Sequence, residues 1–460
     1  MRNERSDFAS KLGMVLATAG SAVGLGNIWR FPVEAGNNGG AAFIIIYILC
    51  VLALGIPLTV AEFVVGRAAH TNTAQAYKRL GGNRFWRQTG KLGVMTGWFI
   101  MSYYIVVAGW TLAYFFKAAS MTPSSAEQAA ALADNGYWER YFGAFIAHPL
   151  LPIACMAVFV LMSHFVIVRG VEKGIERFSK VLMPLLFIIL IALVACSFFT
   201  EGAAAGLAFL FKPDFSKVTL RMVLAAMGQA FFSMSIGMGC LCTYASYFGR
   251  ETNLLRTALH VGMIDTLVAI MSGIVIFPAV FSTGIRPDAG ASLVFIALPN
   301  VFQEAFSALP WLGYAVSVLF YALLVLATLT SVISLHEVPT AYLTEDFHLS
   351  RRAATTVVTI VVITLGTLCS LSIGPLKGLA LFGRNLFDLF DWTSSQILLP
   401  LGGALITFFA AWILDRSILR RELTNDGTLP YGHARLIVAL LRYFAPFVIF
   451  LILISGLGLL

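Results

Sequence analysis

Eleven long apolar runs divide this sequence, and they limit its fold more than any other feature. Each run is long enough to form a helix that crosses the hydrocarbon core of a bilayer. The runs cover residues 11–36, 40–67, 90–117, 149–169, 175–200, 219–248, 255–284, 309–344, 353–373, 388–414 and 434–459. Of the 460 residues, 59% are hydrophobic and 12% are charged. The sequence therefore predicts an all-α, polytopic membrane helical bundle that forms one transmembrane domain over residues 1–460.

Glycine pairs interrupt the first and sixth runs, at Gly24-Leu25-Gly26 and at Gly237-Met238-Gly239. Glycine weakens a helix, and non-helical backbone at membrane depth is tolerated only where it lines a cavity or finds partners within the protein. The sixth run follows the first by an odd number of crossings, so the two interrupted helices run in opposite directions. Matched interruptions of this kind indicate the binding site of a secondary transporter.

The same symmetry predicts a 5+5 inverted-topology repeat with discontinuous helices 1 and 6. Runs 1–5, about residues 11–200, form the first repeat, and runs 6–10, about residues 219–414, form the second. The run at about 434–459 is an extra helix outside the repeat.

Basic residues predict how the chain is oriented in the membrane. They concentrate in the N-terminal tail and in the loops at 67–91, 169–180, 250–256, 345–352 and 415–435. The N-terminus is therefore expected in the cytoplasm and, after eleven crossings, the C-terminus outside it. The net charge of +8 follows this alternation and does not indicate a nucleic-acid partner. Compact loops and short termini favour the plasma (inner) membrane of a prokaryote.

Six cysteines are scattered through apolar segments, without the spacing of a disulfide framework or a metal site. They are Cys50, Cys155, Cys196, Cys240, Cys242 and Cys369. The first apolar run leads directly into the Gly24 motif and lacks a cleavage site, so we expect a membrane helix and not a removable signal peptide. The lipid bilayer and a small-molecule substrate are the expected partners. Nothing in the sequence implies an organic cofactor or an obligate protein partner.

The string from Gly24 to Pro32, GLGNIWRFP, resembles the neurotransmitter:sodium symporter family. Further matches are Asn38-Gly39-Gly40, Glu62 before Gly66-Arg67, Tyr103-Tyr104, residues 228–233 and residues 327–331. The resemblance covers nearly the whole chain, and eleven runs are similar to the shorter bacterial members, which lack a twelfth helix. It implies a sodium-coupled amino-acid symporter that works by alternating access.

A substrate site at the two interruptions is also implied by the resemblance. Backbone groups of Leu25 and Gly26, with the Tyr104 hydroxyl, would hold a substrate carboxylate. The implied substrate-binding residues are Ala22, Gly24, Leu25, Gly26, Ile100, Tyr104, Phe232, Ser233, Ser235, Met238, Ser331 and Leu335. None is charged, and charged side chains are costly to bury in such a pocket. Gly24 stands where monoamine carriers place an Asp, which favours a neutral, hydrophobic or aromatic L-amino acid over a biogenic amine.

Two sodium sites are implied in the same way, and Na⁺ is expected to prefer oxygen ligands as other hard cations do. The first would use the Ala22 carbonyl, Asn27, Ser233, Asp265 and the substrate carboxylate itself. The second would use the Gly20, Val23 and Ala327 carbonyls with the Thr330 and Ser331 hydroxyls. A carboxylate shared with the first ion would couple substrate binding to ion binding. The alternative for the two hydroxyls is hydrogen bonding to their own helix.

Asp265 departs from the chloride-dependent relatives, which have Asn there and Ser one turn later, where this chain has Ala269. A carboxylate beside Tyr47, Gln229 and Ser233 would supply the negative charge that chloride supplies elsewhere, so transport is expected to be chloride-independent. A protonated Asp265 in a structural hydrogen bond is the alternative.

Charged residues near the two mouths are candidate gates. Outside, Arg30 would pair with Asp391 or Asp388, with a slight preference for Asp391. Inside, Arg5 would pair with Glu345, with Asp346 as the competitor. Within the membrane, Glu62 is expected to brace the break near Gly237, with titration during the cycle as the alternative. His336 and Glu337 are interpreted as a polar lining of the inner vestibule in preference to a proton relay.

Three alternatives compete with the symporter. A proton-coupled or sodium-independent permease of the same fold would not need both hydroxyls of the eighth run, those of Thr330 and Ser331. A transporter-like sensor would bind substrate without moving it. An intramembrane enzyme would use His336-Glu337 or Asp388 and Asp391 as catalytic groups. The last is disfavoured because the sequence lacks a metal-ligand spacing and a nucleophile elbow.

Overall fold

The computed structural model describes residues 8–134, 136–283, 293–378, 380–430 and 432–457, and the chain folds there as a bundle of helices. In chain order the helices are α1 Lys11–Ala22, α2 Gly26–Asn37, α3 Ala41–Ala69, α4 Thr73–Gly81, α5 Arg84–Ser120, α6 Ala126–Ala133, α7 Tyr137–Ala147, α8 Leu151–Val168, α9 Val171–Ser197, α10 Ala203–Phe211, α11 Leu220–Ser233, α12 Cys240–Ala245, α13 Leu254–Thr283, α14 Leu298–Ala305, α15 Pro310–Asp346, α16 Arg351–Ile373, α17 Leu386–Ile413, α18 Arg416–Thr424 and α19 Ala434–Gly456. A π-helical segment, Leu293–Ala297, precedes α14.

The apolar runs of the sequence correspond to these helices. Within the described residues, nine helices are long and apolar enough to cross a membrane. Helices α1 and α2 form a tenth span, bent by 52° at a short break. The sixth run forms α11 and α12, which are separated by residues 234–239. The predicted all-α membrane bundle is confirmed, together with the interruptions of its first and sixth runs.

Polar side chains fix the starts of several helices. Ser10 accepts the N–H of Gly13 at the start of α1, and Thr219 accepts that of Met222 at the start of α11. Each satisfies one of the N–H groups that a helix leaves free in its first turn. Short polar side chains therefore determine where these apolar helices begin.

Burial separates central helices from peripheral ones. The most apolar 18-residue stretches of α5 and α15 are each 78% buried, whereas that of α9 is 28% buried. Helices α8, α16 and α19 are also largely exposed along their apolar stretches. In a membrane bundle an exposed apolar face meets lipid. The two interrupted helices, α5 and α15 therefore form the interior in which a site can lie.

The second break has backbone that few residues adopt. Gly237 and Gly239 have φ of +87° and +77°, and Ser235 has φ of +55°. Positive φ is readily available to glycine but unusual for serine. The Glu62 carboxylate on α3 accepts the N–H of Gly237 at 2.8 Å and that of Cys242 at 3.1 Å. The predicted contact between Glu62 and the break near Gly237 is therefore present.

Candidate functional site

A small cavity of about 30 Å³ lies between the two breaks. It is lined by Ser21, Ala22, Gly24, Gly26, Ile100, Tyr104, Phe232, Ser233, Ser235, Met238, Cys240, Ser331 and Leu335. The structure thus brings together every predicted substrate-binding residue except Leu25, which lines a neighbouring cavity described below. Ser21 and Cys240 were missed by sequence reasoning, although each directly adjoins residues already assigned to a break.

Backbone groups at the first break are held in fixed positions. The N–H of Leu25 donates to the Tyr104 hydroxyl at 3.1 Å, and the N–H of Gly24 donates to the Asn27 side-chain oxygen at 2.9 Å. A Cβ atom on residue 24 would lie 2.7 Å from the Tyr104 hydroxyl and would also overlap the Ser331 hydroxyl. Glycine is therefore required here by close packing, and the site has no room for an acidic side chain.

Asn27, Ser233 and Asp265 form the first buried polar cluster. The Asn27 amide nitrogen donates to the Ser233 hydroxyl at 3.0 Å and to an Asp265 carboxylate oxygen at 2.7 Å. Ser233 donates to the same carboxylate at 2.8 Å. Asn27 was expected to offer oxygen here, but its amide oxygen accepts from Gly24 and its nitrogen faces the cluster. The carboxylate explains this orientation because it attracts a donor.

Asp265 also accepts from the Tyr47 hydroxyl at 2.9 Å, so its donors are an amide and two hydroxyls. Ala269 is fully buried one turn later and adds no polar group. Gln229 donates to the Gly26 carbonyl at 2.8 Å, while its own carbonyl has no partner among the described residues. Of the two residues predicted to lie beside Asp265, Tyr47 therefore hydrogen-bonds to its carboxylate, whereas Gln229 hydrogen-bonds to the backbone of the first break.

A second group of oxygen atoms joins α1 to α15. The Val23 carbonyl accepts from Ser331 at 3.0 Å and from Thr330 at 3.4 Å. Thr330 also donates to the Ala327 carbonyl at 2.9 Å. A Cβ atom on Gly20 would lie 3.2 Å from that of Thr330, so Gly20 lies against the same threonine. The residues predicted for the second sodium site are thus brought together.

A larger cavity of about 250 Å³ adjoins the small one. Gly26, Tyr104 and Phe232 line both cavities, so these residues form the boundary between them. The Arg30 guanidinium lies over the Phe232 ring, 4.6 Å from its centroid, and its Nε is 3.9 Å from a Glu34 carboxylate oxygen. Arg30 and Phe232 therefore pack against each other in the wall of the larger cavity.

The two candidate partners of Arg30 differ in position. Asp391 lines the same cavity as Arg30. Asp388 is exposed, and its carboxylate accepts from Asn385 at 2.6 Å in the first turn of α17. Neither forms an ion pair with Arg30 in the part of the chain that the structure describes. The geometry favours Asp391, which could reach Arg30 if this cavity narrowed.

The residues just before α1 pack against the rest of the bundle through aromatic and polar contacts. Phe8 packs against Tyr244, Tyr247 and Phe248, and its N–H donates to the Tyr247 carbonyl at 3.2 Å. The buried Glu176 carboxylate on α9 accepts from the Ala9 N–H at 2.6 Å. The small cavity is therefore separated from the side of the bundle where the chain begins by the packed start of α1.

The predicted inner gate is only partly described. Arg5 lies outside the described residues. Glu345 accepts from Thr71 at 2.8 Å and from the backbone N–H of Asn72 at 2.7 Å. Asp346, the competitor, pairs with Arg87 at 3.1 Å. Glu345 therefore anchors the connection between α3 and α4, and Asp346 anchors the start of α5.

His336 and Glu337 do not line a vestibule in this conformation, which corrects the interpretation from sequence. Both side chains are fully buried. Glu337 pairs with Arg351 at 2.5 Å and accepts from the Tyr247 hydroxyl at 2.7 Å. His336 shares a hydrogen bond with Ser163 at 3.0 Å. Apolar packing of α15 against its neighbours buries these groups, which sequence periodicity could not show.

Comparisons with known proteins all indicate one family of sodium-dependent transporters. A family model described as the sodium:neurotransmitter symporter family matches residues 5–131 and 134–459. The chain is 37% identical to an uncharacterized sodium-dependent transporter, YhdH, of Bacillus subtilis over 98% of both chains. It is 32% identical to an uncharacterized sodium-dependent transporter of Haemophilus influenzae, over 99% of this chain and 98% of the other. The crystal structure of MhsT in complex with L-phenylalanine matches with a TM-score of 0.87 and 40% identity, covering 98% of this chain and all of that one.

Proposed function

Because the chain belongs to the sodium:neurotransmitter symporter family, we propose that it carries a neutral, hydrophobic or aromatic L-amino acid into the cell together with Na⁺. It is a sodium-dependent transporter and not an enzyme, so the alternative of an intramembrane enzyme is discarded. The observation that carries the proposal is the cavity between the two helix breaks, whose lining contains no charged side chain. A charged substrate side chain would be costly to bury there.

The substrate carboxylate binds at the first break in this proposal. Broken helices expose N–H groups whose partial positive charge suits a carboxylate. The N–H groups of Leu25 and Gly26 and the hydroxyl of Tyr104 are the proposed donors. The Leu25 N–H now donates to Tyr104, so a bound carboxylate would take the place of that contact.

Two Na⁺ ions accompany the substrate. The first binds Ala22, Asn27, Ser233, Asp265 and the substrate carboxylate, after the Asn27 amide turns to present its oxygen. The second binds Gly20, Val23, Ala327, Thr330 and Ser331. Support for both comes from the oxygen atoms that already meet at these places. The shared carboxylate makes each ligand raise the affinity for the other.

Asp265 makes transport independent of chloride in this proposal. Its carboxylate is fully buried among neutral donors, so the negative charge at this place belongs to the protein itself. A bound chloride beside it would face that charge in a medium of low dielectric constant, which is strongly unfavourable.

An aromatic or large aliphatic side chain is the proposed cargo. The small cavity holds only about 30 Å³, so substrate entry must move its lining. Met238 and Phe232 are suited to this because a methionine side chain is flexible and Phe232 borders the larger cavity. MhsT, whose solved structure contains L-phenylalanine, gives independent support for this class of substrate.

Alternating access would proceed from the conformation seen here. The larger cavity gives the substrate a route to the site, while the packed start of α1 closes the other side. We place the N-terminus in the cytoplasm and the C-terminus outside it, in the plasma membrane of a prokaryote. Two five-helix repeats, about 11–200 and 219–414, move relative to one another, and the helix at about 434–459 lies outside them.

Uptake into proteoliposomes tests the proposal. Labelled L-phenylalanine is offered under inward Na⁺ or K⁺ gradients, with chloride present or replaced by gluconate. Accumulation that needs Na⁺ and persists in gluconate is expected. Equal uptake in K⁺ would favour the permease, and binding without accumulation would favour the sensor. Gly24→Val, which fills the cavity, is the matched variant that should lose uptake.

A further inference from the structure

Arg67, in the last turn of α3, is a buried cation that the proposed transport cycle does not use. Its side chain is 3% exposed and pairs with Glu422 of α18, with 2.6 Å between Nε and a carboxylate oxygen. Its other two nitrogens donate to backbone carbonyls, to that of Glu422 at 2.6 Å, that of Arg250 at 3.4 Å and that of Thr252. A planar guanidinium with five donors suits this position because it can reach several acceptors at once.

These carbonyls belong to two separate segments of the chain. That of Glu422 lies in the last turn of α18, where a helix leaves its C=O groups without intrahelical partners. The other two lie in the connection between α12 and α13, residues 246–253. Asn425 joins the same two segments, because it accepts from Arg67 at 3.2 Å and donates to the Glu251 carbonyl at 3.2 Å. Arg67 therefore fixes both α18 and the α12–α13 connection to the end of α3.

The α12–α13 connection is also the surface on which the start of α1 packs. The Phe8 N–H donates to the Tyr247 carbonyl at 3.2 Å, just before α1 begins. The Thr252 hydroxyl donates to the sulfur of Met14, in the first turn of α1, at 3.6 Å. Thr252 thus places its carbonyl on Arg67 and its hydroxyl on α1. Because the start of α1 separates the small cavity from this side of the bundle, the surface beneath it affects whether this side opens.

We infer that Arg67 is a positioning residue for closure of the side where α1 begins, because it fixes the connection against which α1 closes. The inference rests on the proposed function, in which opening of this side is a step of alternating access. Without the guanidinium the connection is free to move, and conformations open on this side become more populated. Since Na⁺ and substrate are proposed to enter from the other side, their apparent affinity then falls by the fraction of protein that remains competent to bind.

Hydrogen exchange in Arg67→Lys tests the inference. Lysine keeps the charge, but a single ammonium cannot bond to both segments as the planar guanidinium does. Exchange should quicken about tenfold in a peptide containing residues 8–14 as well as in one containing α18, as the strength of charged hydrogen bonds implies. The apparent Kd of L-phenylalanine in Na⁺ should rise about fivefold or more. Arg79→Lys is the matched control, because Arg79 donates to the Ala69 carbonyl at 2.9 Å at the same end of α3, and it should change neither measurement.

Added ligand separates positioning from mere structural support. Saturating Na⁺ and L-phenylalanine favour conformations in which α1 is closed, so they should return exchange of residues 8–14 in Arg67→Lys to that of the unaltered protein. They do not replace the bonds to α18, where exchange should stay fast. Fast exchange confined to α18 and the α12–α13 connection, or an equal response of both peptides to ligand, would overturn the inference.

A second variant decides the matter if Arg67→Lys does not fold. Asn425→Gly removes the other link between α18 and the α12–α13 connection and keeps the positive φ of +45° at this position, which glycine adopts readily. It should also quicken exchange of residues 8–14, and unchanged exchange there would overturn the inference. Exchange without ligand does not depend on transport. Absence of Na⁺-driven uptake by the unaltered protein would therefore overturn the proposed function separately.

Discussion

The Glu62 carboxylate accepts the backbone N–H of Gly237 at 2.8 Å, across the gap between α3 and the second break. Its other oxygen accepts the N–H of Cys242, so one side chain satisfies donors in the break and in the helix after it. These N–H groups have no helical partner, and leaving them unpaired within the membrane would be costly. Glu62 is therefore what allows the sixth run to be discontinuous at this depth.

Glu62→Gln should impair transport and stability together. The amide of glutamine has one acceptor oxygen, so one of the two backbone N–H groups would face another donor. Hydrogen bonds to charged groups contribute about 1.5–3 kcal/mol, and we expect a destabilisation of that order. Thermal unfolding in detergent and initial uptake rates measure the two effects. A variant with unaltered stability and reduced uptake would instead point to titration of Glu62 during the cycle.

Asp265→Asn combined with Ala269→Ser should convert transport to chloride dependence. The double variant removes the fixed charge beside Tyr47 and Ser233 and adds a hydroxyl donor at the buried position 269. Uptake is expected to fall at least tenfold in gluconate and to recover with added chloride. The single variant Ala269→Ser, which keeps the carboxylate, is the control and should remain indifferent to chloride. Chloride-independent uptake by the double variant would contradict the role assigned to Asp265.

The pattern of apolar runs was sufficient for the fold, and the family resemblance supplied most of the cavity lining. Apolar runs predict helices because backbone hydrogen bonds must be satisfied within the membrane, and glycine pairs mark where this pattern fails. The residues that line the cavity from other helices, such as Tyr104 and Ser331, came from the family resemblance and not from this pattern. Ser21 was missed because a serine in the last turn of a helix gives no sign of whether its side chain borders a cavity.

Other features depend on long-range packing that no local pattern encodes. The amide orientation of Asn27 is set by Asp265, which is 238 residues away in the chain. The burial of His336 and Glu337 depends on Arg351 and on neighbouring helices. The choice between Asp388 and Asp391 requires knowledge of which face of α17 meets the cavity, and two acids three residues apart on one helix give no answer.

Asp391→Asn should reduce transport far more than Asp388→Asn. Asp391 lines the cavity that holds Arg30, and the charge is needed when the two approach as the outer side closes. Asp388 hydrogen bonds to Asn385 in an exposed turn, where removal of a charge has little effect. We expect at least a tenfold loss of initial uptake rate for the first variant and less than twofold for the second. The reverse order would assign the gate to Asp388.

Glu176→Gln should loosen the start of α1. The carboxylate of Glu176 accepts from the Ala9 N–H and from the Ser10 hydroxyl at 2.7 Å, and it pairs with Lys180 at 2.6 Å. Loss of the charge weakens this contact, so hydrogen exchange of a peptide containing residues 8–13 should quicken about tenfold or more, as the strength of charged hydrogen bonds implies. Glu172→Gln, in an exposed position one turn earlier in the same helix, is the matched control. Equal exchange in both variants would show that Glu176 does not hold α1.

Thr330→Val should weaken sodium coupling without disturbing the fold. Thr330 donates to the Ala327 carbonyl in its own helix and reaches the Val23 carbonyl at 3.4 Å, so its hydroxyl is either an ion ligand or a helix contact. Valine keeps the shape and removes the oxygen. Loss of one ligand should raise the Na⁺ concentration for half-maximal uptake about tenfold, with little change in thermal stability. Thr328→Val is the matched control, because Thr328 is buried in the same helix and bonds only to the Leu324 carbonyl there. Equal shifts in both variants would make the Thr330 hydroxyl a helix contact and remove it from the second site, whereas a shift in Thr330→Val alone makes it a sodium ligand.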